Sequence, residues 1–460
     1  MRRDDLGMLS ILLGAVFVVL LNETLTGVSL PVIAAGLGTD IRSAQWATSG
    51  YLLTLAVLLP LTGRLLNRVP TRALFRVSCA VLLLGVAVSA AAPDVFWLVA
   101  GRVVQAAGSV ALLPMLLTAV LRMTSRANRG RALSLTSLTT AIAPALGPSA
   151  AGLVLAIAGW RAVFAVQLPL YAALLLLARF VGRDLRSAES AGGVDVLSVA
   201  LSALGFGGIV IAASASGGLD DDGLVTIVAL AAGVLGIAGF VWRQLAAGAE
   251  RATLDLTTFR AAGFPRSVVV LALALAALFS VFALFPLLLL GLVGLTPLQA
   301  GLLMLPGGLT MGALAPFAGR LTDAGRARGT MVTALALLAA ALAGSAALAV
   351  SATHQPAGWP VWLAAHLTIG IAFALLITPV YATALAHIPE RQHPHAGAIL
   401  GVTQQLSAAI GTAAAIGLAT AGARSGAAVT GAGAAVALAL GCGMAIAAAW
   451  VAASRRRRST

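Results

Sequence analysis

The sequence predicts an all-α integral membrane protein of fourteen transmembrane helices: two six-helix halves, two further helices between them, and both termini in the cytoplasm. Three observations carry that expectation. They are an apolar composition, apolar segments long enough to cross a bilayer, and a one-sided distribution of arginine. Of 460 residues, 60% are hydrophobic and 10% charged, and the mean hydropathy of +1.01 lies far outside the range of a soluble multidomain protein. Crossing ~30 Å of hydrocarbon takes roughly 20 residues. Runs of that kind recur from end to end, and no soluble domain fits between them.

Breaks at charge clusters and at Gly/Pro/Asp turns place the span starts near residues 8, 44, 72, 95, 131, 161, 195, 223, 265, 297, 329, 359, 394 and 427. Met1 to Leu6 is a short charged start, and the apolar run after it is too long for a signal h-region, so the first span is expected to be retained. Every basic side chain is Arg. With the N-terminus inside, the cytoplasmic segments hold Arg2 and Arg3, the clusters Arg64 to Arg76, Arg122 to Arg131 and Arg179 to Arg186, then Arg243 to Arg266, Arg320 to Arg328, Arg391 and Arg455 to Arg458. That is 25 of the 29 arginines; Arg42, Arg161 and Arg424 fall outside and Arg102 falls within a span. Short cytoplasmic loops carry the excess of positive charge, and omitting any one span would reverse every later loop and destroy the asymmetry.

The net charge of +14 is therefore spread over membrane-flanking loops. Nucleic acid is not an expected partner; the bilayer is, and Arg455 to Arg458 reads most simply as a stop signal held by anionic headgroups. The acidic cluster Asp220 to Asp222 falls outside. Cys79 and Cys442 both lie in apolar runs, so neither a disulfide framework nor a zinc site is expected.

"PLTGRLLNRVPTR", from Pro60, recurs in outline as "PFAGRLTDAGRAR", from Pro316. Each copy follows an apolar span, the second and the tenth, and opens a cytoplasmic loop. The chain thus reads as duplicated, with residues 1–182 as an N-terminal six-helix half, 183–250 as two additional helices and 251–460 as a C-terminal six-helix half. Transporter folds are built from such repeats, with the substrate site at the repeat interface near the midplane.

The same residues resemble the fourteen-span drug:proton antiporters of the major facilitator superfamily, over nearly the whole chain. The family's first span reads roughly L-D-x-T-x-x-N-x-A-L-P. Leu21, Thr24, Leu30 and Pro31 match it, Asn22 stands for the Asp, Gly27 for the Asn and Ser29 for the Ala. The acid sits one place later, at Glu23, a form similar to the family's "NET" branch. "QWATSGYLL" puts Gln45, Trp46 and Tyr51 in family positions. The loop after span 2 resembles the superfamily signature G-x-L-x-D-R-x-G-R through Gly63, Leu65, Arg68 and Arg72, with Asn67 for its Asp and Pro70 for its second Gly; the second copy keeps Gly319 and Asp323. Arg102, Gln105 and Gly108 match R-x-x-Q-x-x-G in span 4, and Gly147, Pro148 and Gly152 match the antiporter signature in span 5. "GWRAVF", "LDLTTFRAAGF" and "GLTPLQAGLLMLPGGL" also look like members of this family. The resemblance implies proton-coupled export of amphipathic, cationic drugs across a bacterial cytoplasmic membrane, a monomer, and no cofactor beyond the proton as coupling ion. It also implies that Arg102 assists proton transfer.

At 100° per residue, Asn22, Glu23, Thr26 and Ser29 project within an arc of roughly 120°. A straight helix from Met8 carries Glu23 about 22 Å up, somewhat past the midplane. A charged acid facing lipid there costs on the order of 2.5 kcal/mol or more, so Glu23 is expected to face a cavity. It is the one acid in the interior of a span; Asp195 and Asp323 fall at ends. Desolvation favours its neutral form, which would let proton and cationic substrate compete for it. A carboxylate permanently paired for packing is the alternative. For Arg102 the alternative is a guanidinium satisfied by carbonyls or by a polar partner in a neighbouring span.

Gly147 and Gly152 allow a close helix approach and Pro148 removes a backbone bond, so span 5 either bends or simply packs. Thr26, Tyr51, Gln105, Gln167, His366 and Gln404 are candidates to line a substrate cavity; each is otherwise an interhelical hydrogen-bonding residue. His366 could be a second titrating group. Trp46 and Trp160 are expected in interfacial belts. The sequence holds no P-loop, no Gly-x-Ser-x-Gly elbow and no His-Glu-x-x-His helix, so neither ATP-driven transport nor an enzyme is expected. Two other readings stand beside the broad exporter: dedicated export of one antibiotic or metabolite, and a lipid-moving or lipid-modifying membrane protein.

Overall fold

Backbone that enters lipid has no water to bond, so it must satisfy its own polar groups, and a helix does so within one segment. The computed structural model describes residues 3–124, 126–182, 184–185, 195–215, 223–251, 254–352, 358–386, 388–389, 392–421 and 429–454. Among the described residues every regular element is helical. The N-terminal part comprises α1 (Arg3–Leu37), α2 (Ile41–Ala44), α3 (Trp46–Leu58), α4 (Thr62–Arg68), α5 (Thr71–Ala91), α6 (Val95–Ser109), α7 (Leu112–Met123), α8 (Arg126–Ala165) and α9 (Leu168–Leu177). Then come α10 (Val196–Ala215) and α11 (Gly223–Arg251). The C-terminal part comprises α12 (Phe264–Gly291), α13 (Pro297–Leu321), α14 (Ala327–Ser351), α15 (Trp359–Leu385), α16 (His393–Ala419) and α17 (Gly431–Ala453). Arg2, Arg183, Arg186, Asp220 to Asp222, Arg391, Arg424 and Arg455 to Arg458 lie outside the described residues.

Side chains supply the helix starts. Asp94 accepts from Trp97 N at 3.1 Å and opens α6. Thr296 and Gln299 form a reciprocal capping box at α13, with Pro297 in the first turn, where its missing N–H costs nothing. Asp195 caps α10 through Ser198 N at 3.2 Å.

Twelve segments among the described residues are long and apolar enough to cross a membrane, against the fourteen expected. The two longest are Leu146–Phe180 with 35 residues and Pro297–Ser351 with 55, and each contains a break in the helix. The first contains Gly159, whose φ of 74° departs from the helix just before α9. The second contains Thr322–Arg326, a π-turn with Gly325 at φ 75°. α8 runs through Pro148 without leaving helical geometry, and its one non-helical residue is Gly159.

The two parts meet along α3 against α16, α8 against α13 and α1 against α12. At α8 and α13 the approach is backbone to backbone: a Cβ on Gly152 would overlap the Pro297 carbonyl, and one on Gly301 the Pro148 carbonyl. Ser149 Oγ donates across the same contact to Gly301 O at 2.8 Å. α11 packs on α10, and α10 in turn lies against both α3 and α16, with Gln45 Nε2 donating to Ser214 Oγ at 3.2 Å. Trp160, expected in a lipid-facing belt, is buried against Gly36 at the end of α1 because the Gly159 turn folds it inward.

Candidate functional site

The polar residues of the first spans converge inside the N-terminal part. Asn22, Thr26 and Ser29 recur at helical spacing on α1 and are fully buried, and Asn22 meets α6. Arg102, two turns into α6, is also fully buried. Its Nε donates to Ala47 O of α3 at 2.9 Å, and its Nη1 donates to Asn22 Oδ1 at 2.9 Å and to Gln105 Oε1 at 2.8 Å. Asn22 Nδ2 donates to the same Gln105 Oε1 at 3.0 Å. Gln105 Nε2 donates to Gly85 O at 3.1 Å and to Ser89 Oγ at 2.7 Å, both on α5. The Arg102 guanidinium lies 4.2 Å above the Tyr51 ring, and the Tyr51 hydroxyl meets Ser109 Oγ at 3.1 Å. Four helices are thus tied through one cation, with a cation–π contact on its open face.

Glu23 sits on the flank of α1 beside this cluster. It is half-buried, unlike Asn22, and it has no hydrogen-bond partner among the described residues. Its charge and that of Arg102 act on each other. One turn further along the same flank, Gly27 faces the Phe282 carbonyl of α12. The carboxylate therefore lies just short of the point where α1 meets the C-terminal part. An unpaired acid at a seam between two bodies can bind a proton or a cation.

Other expected site residues are dispersed. Gln167 opens α9, buried, with Nε2 returned to Val163 O at 2.9 Å. His366 of α15 is 4% exposed; its Nε2 lies 3.0 Å from Met304 O and its ring 4.9 Å from that of Phe285. Gln404 of α16 is half-buried and accepts from the Tyr381 hydroxyl at 2.8 Å. In this conformation Thr26, Tyr51, Gln105, Gln167 and His366 occupy helix–helix contacts. Gly147 of α8 packs against Thr24 of α1, on the same stretch that holds Glu23. Gly63 and Arg68 of α4, Arg72 of α5 and Asp323 in the π-turn are exposed at helix ends, and Gly319 is half-buried one turn before Asp323. An apolar groove of about 510 Å³ between α10 and α11 holds no titratable group and lies away from the cluster.

Sequence reasoning missed Ser89, Ser109 and Tyr381. Ser89 and Gly85 are four residues apart on α5, the spacing of one helix face, which was the available signal. The Ala47 carbonyl has no such signal.

Comparison with known proteins yields a consistent picture. The model of the Major Facilitator Superfamily matches residues 12–412. The chain is 33% identical to the lincomycin resistance protein LmrB of Listeria monocytogenes, over 89% of this chain and 85% of that protein. It is 27% identical to the multidrug resistance protein B homolog of Mycobacterium tuberculosis, over 85% and 72%. Among solved structures, an auto-inhibited POT family peptide transporter superposes with a TM-score of 0.68 at 16% identity, covering 97% of this chain and 96% of that one. The xylose transporter XylE from E. coli, partially occluded and inward-open, superposes with a TM-score of 0.63 at 13% identity, covering 97% of each.

Proposed function

The chain belongs to the Major Facilitator Superfamily, and we propose that it is a proton-driven exporter of amphipathic, cationic compounds that works by alternating access. The observation that carries this reading is Glu23: an acid in a membrane helix, half-buried, without a hydrogen-bond partner among the described residues, at the seam between α1 and α12 and beside a buried arginine. Proton and substrate cation compete for its carboxylate. When the seam opens to one side the substrate binds; when it opens to the other a proton replaces it, and inward proton flow drives export.

The same reading has fourteen spans. A continuous 55-residue helix would be ~80 Å long, more than twice the hydrocarbon thickness, so Pro297–Ser351 is read as two crossings joined at Thr322–Arg326. Leu146–Phe180 is likewise read as two, joined at Gly159. Both termini are then cytoplasmic, in keeping with the arginine distribution. Residues 1–182 and 251–460 are the two halves, and 183–250 is the inserted pair. The first span is of the "NET" form, the working unit is a monomer in a bacterial cytoplasmic membrane, and the proton serves in place of any cofactor.

One relative's name supports a second reading. LmrB is named for lincomycin resistance, which suits a dedicated exporter and predicts a narrow resistance spectrum in a sensitised host, whereas the multidrug resistance protein B homolog is named for a broad one. The test of the main reading is efflux of a lipophilic cation from proteoliposomes under an imposed pH gradient, wild type against Glu23→Gln. Acceleration by the gradient in wild type and none in the variant is expected. Transport indifferent to the gradient, with scrambling of lipid headgroups, would point to a lipid-moving protein.

A further inference from the structure

Among the described residues, six polar side-chain atoms of the N-terminal part are enclosed without a hydrogen-bond partner: Gln45 Oε1 and Ser49 Oγ at the start of α3, and Thr26 Oγ1, Arg102 Nη2, Gln167 Oε1 and Tyr171 OH on α1, α6 and α9, the four considered next. Their residues are between 0 and 1% exposed, so bilayer water does not reach them from outside. Buried polar atoms rarely stay unpaired; where protein supplies no partner, ordered water does.

Their placement is regular. Asn22 and Thr26 lie one turn apart on one face of α1, and Gln167 and Tyr171 lie one turn apart on one face of α9. Trp160, just ahead of α9, packs on Gly36 near the end of α1, so the two helices run in opposite directions from that end. The Tyr171 hydroxyl lies close to Asn22. Gln167 therefore stands level with Thr26, one turn nearer the Gly36 end. Arg102 Nη2 lies at the inner end of this ladder, beside Asn22.

We propose that Gln167, Thr26, Tyr171 and Arg102 bind a file of water molecules that brings protons to Glu23 through the interior of the N-terminal part, apart from the seam that takes the substrate. The inference rests on the coupling role given to Glu23 above. A proton enters at the water on Gln167. Each water then passes one proton to the next, the last protonates the Glu23 carboxylate, and the waters reorient; no side chain on the way changes its charge. The Arg102 cation repels a hydronium unless a negative charge compensates it. Glu23 is the acid whose charge reaches Arg102. The file therefore conducts toward ionised Glu23 and stops once that acid is neutral, which prevents a proton leak.

The test uses the full chain in proteoliposomes of uniform orientation. An acid pulse is given on one side, and the infrared carbonyl band of protonated Glu23 is followed in time, with Glu23→Gln as the blank. Thr26→Val with Gln167→Met should slow appearance of the band at least tenfold after a pulse on the Gly36 side and leave the rate after a pulse on the other side within twofold. Tyr171→Phe, which removes a single oxygen, should give a smaller change of the same sidedness. Equal rates in wild type and variants from the Gly36 side overturn the proposal, as does equal slowing from both sides. If the band behaves as expected while export ignores the pH gradient, the coupling reading fails and the water file stands.

Discussion

Arg102 Nη1 donates to Asn22 Oδ1 at 2.9 Å, so the one cation within a span of the N-terminal part is held by a neutral amide, and the acid next in sequence, Glu23, stays unpaired. A carboxylate at position 22 would sit against the guanidinium in a closed ion pair. With Asn there, Arg102 is satisfied by hydrogen bonds, and its charge is left to act on Glu23 from a distance.

Asn22→Leu removes one of the two acceptors of Arg102 Nη1 and one of the two donors to Gln105 Oε1 at once. A lost hydrogen bond costs about 0.5–1.5 kcal/mol, and about 1.5–3 kcal/mol where one partner is charged. The variant should melt at lower temperature in detergent and lose gradient-driven transport. Asn22→Asp should melt no lower than wild type yet transport poorly, because the new carboxylate captures Arg102.

Gly152→Val places side-chain atoms where the Pro297 carbonyl lies. Overpacking of this kind costs typically 1–3 kcal/mol. Here it is relieved by separating α8 from α13, the two parts of the chain. Transport should fall at least tenfold while the protein still folds, and Ser149→Cys should become more accessible to a thiol reagent in that background.

Arg266 reaches the end of α17: Nε donates to Val451 O at 2.6 Å and Nη2 to Ala452 O at 2.8 Å, with a further bond to Ser454 O. The last carbonyls of a helix lack internal partners and carry partial negative charge, and a cation there is worth about 0.3–1 kcal/mol. Arg266→Ala should leave transport near wild type and speed proteolysis of the C-terminal end.

Asp255, in the loop between α11 and α12, ties that loop to α16. Burial alone would raise its carboxyl. Bonds from Thr257 N at 2.9 Å and Thr257 Oγ1 at 2.6 Å, the charge of His395 and a bond from Gln392 outweigh burial and hold it below the usual carboxylate range. A depressed native value stabilises the fold above the unfolded pKa of about 3.9, and the gain is lost as pH falls through the lower native value. Hydrogen exchange of residues 254–260 should therefore be flat from neutral pH to about 4, once corrected for intrinsic rates, and rise below that. Asp255→Asn should abolish the rise.

Much of this was legible in the chain itself. Apolar runs mark helices because lipid demands internal hydrogen bonds, and Glu23 and Arg102 stand out because charge within such runs is costly. Within Leu146–Phe180 and Pro297–Ser351 the breaks read at Gly and charge clusters, near residues 161 and 329, fall just past Gly159 and the turn around Gly325, although hydropathy runs on through both. Pro148 left open whether α8 bends there or only packs; the helix passes it and leaves helical geometry at Gly159. Spacing on α1 put Asn22, Glu23 and Thr26 on one stripe, but whether a residue of that stripe meets α6 or the seam with α12 depends on helix rotation. Asn22 and Thr26 are fully buried and Glu23 is half-buried. The partners of Arg102 include a backbone carbonyl, that of Ala47, which any residue could provide.

Proton release from the purified protein on addition of a lipophilic cation tests the central role of Glu23 most directly, since it needs neither a vesicle nor a gradient. Wild type should release protons in proportion to cation bound, most strongly near the pH at which the carboxyl is half protonated, and Glu23→Gln should bind more weakly and release none. Release from Glu23→Gln equal to that of wild type would contradict the account.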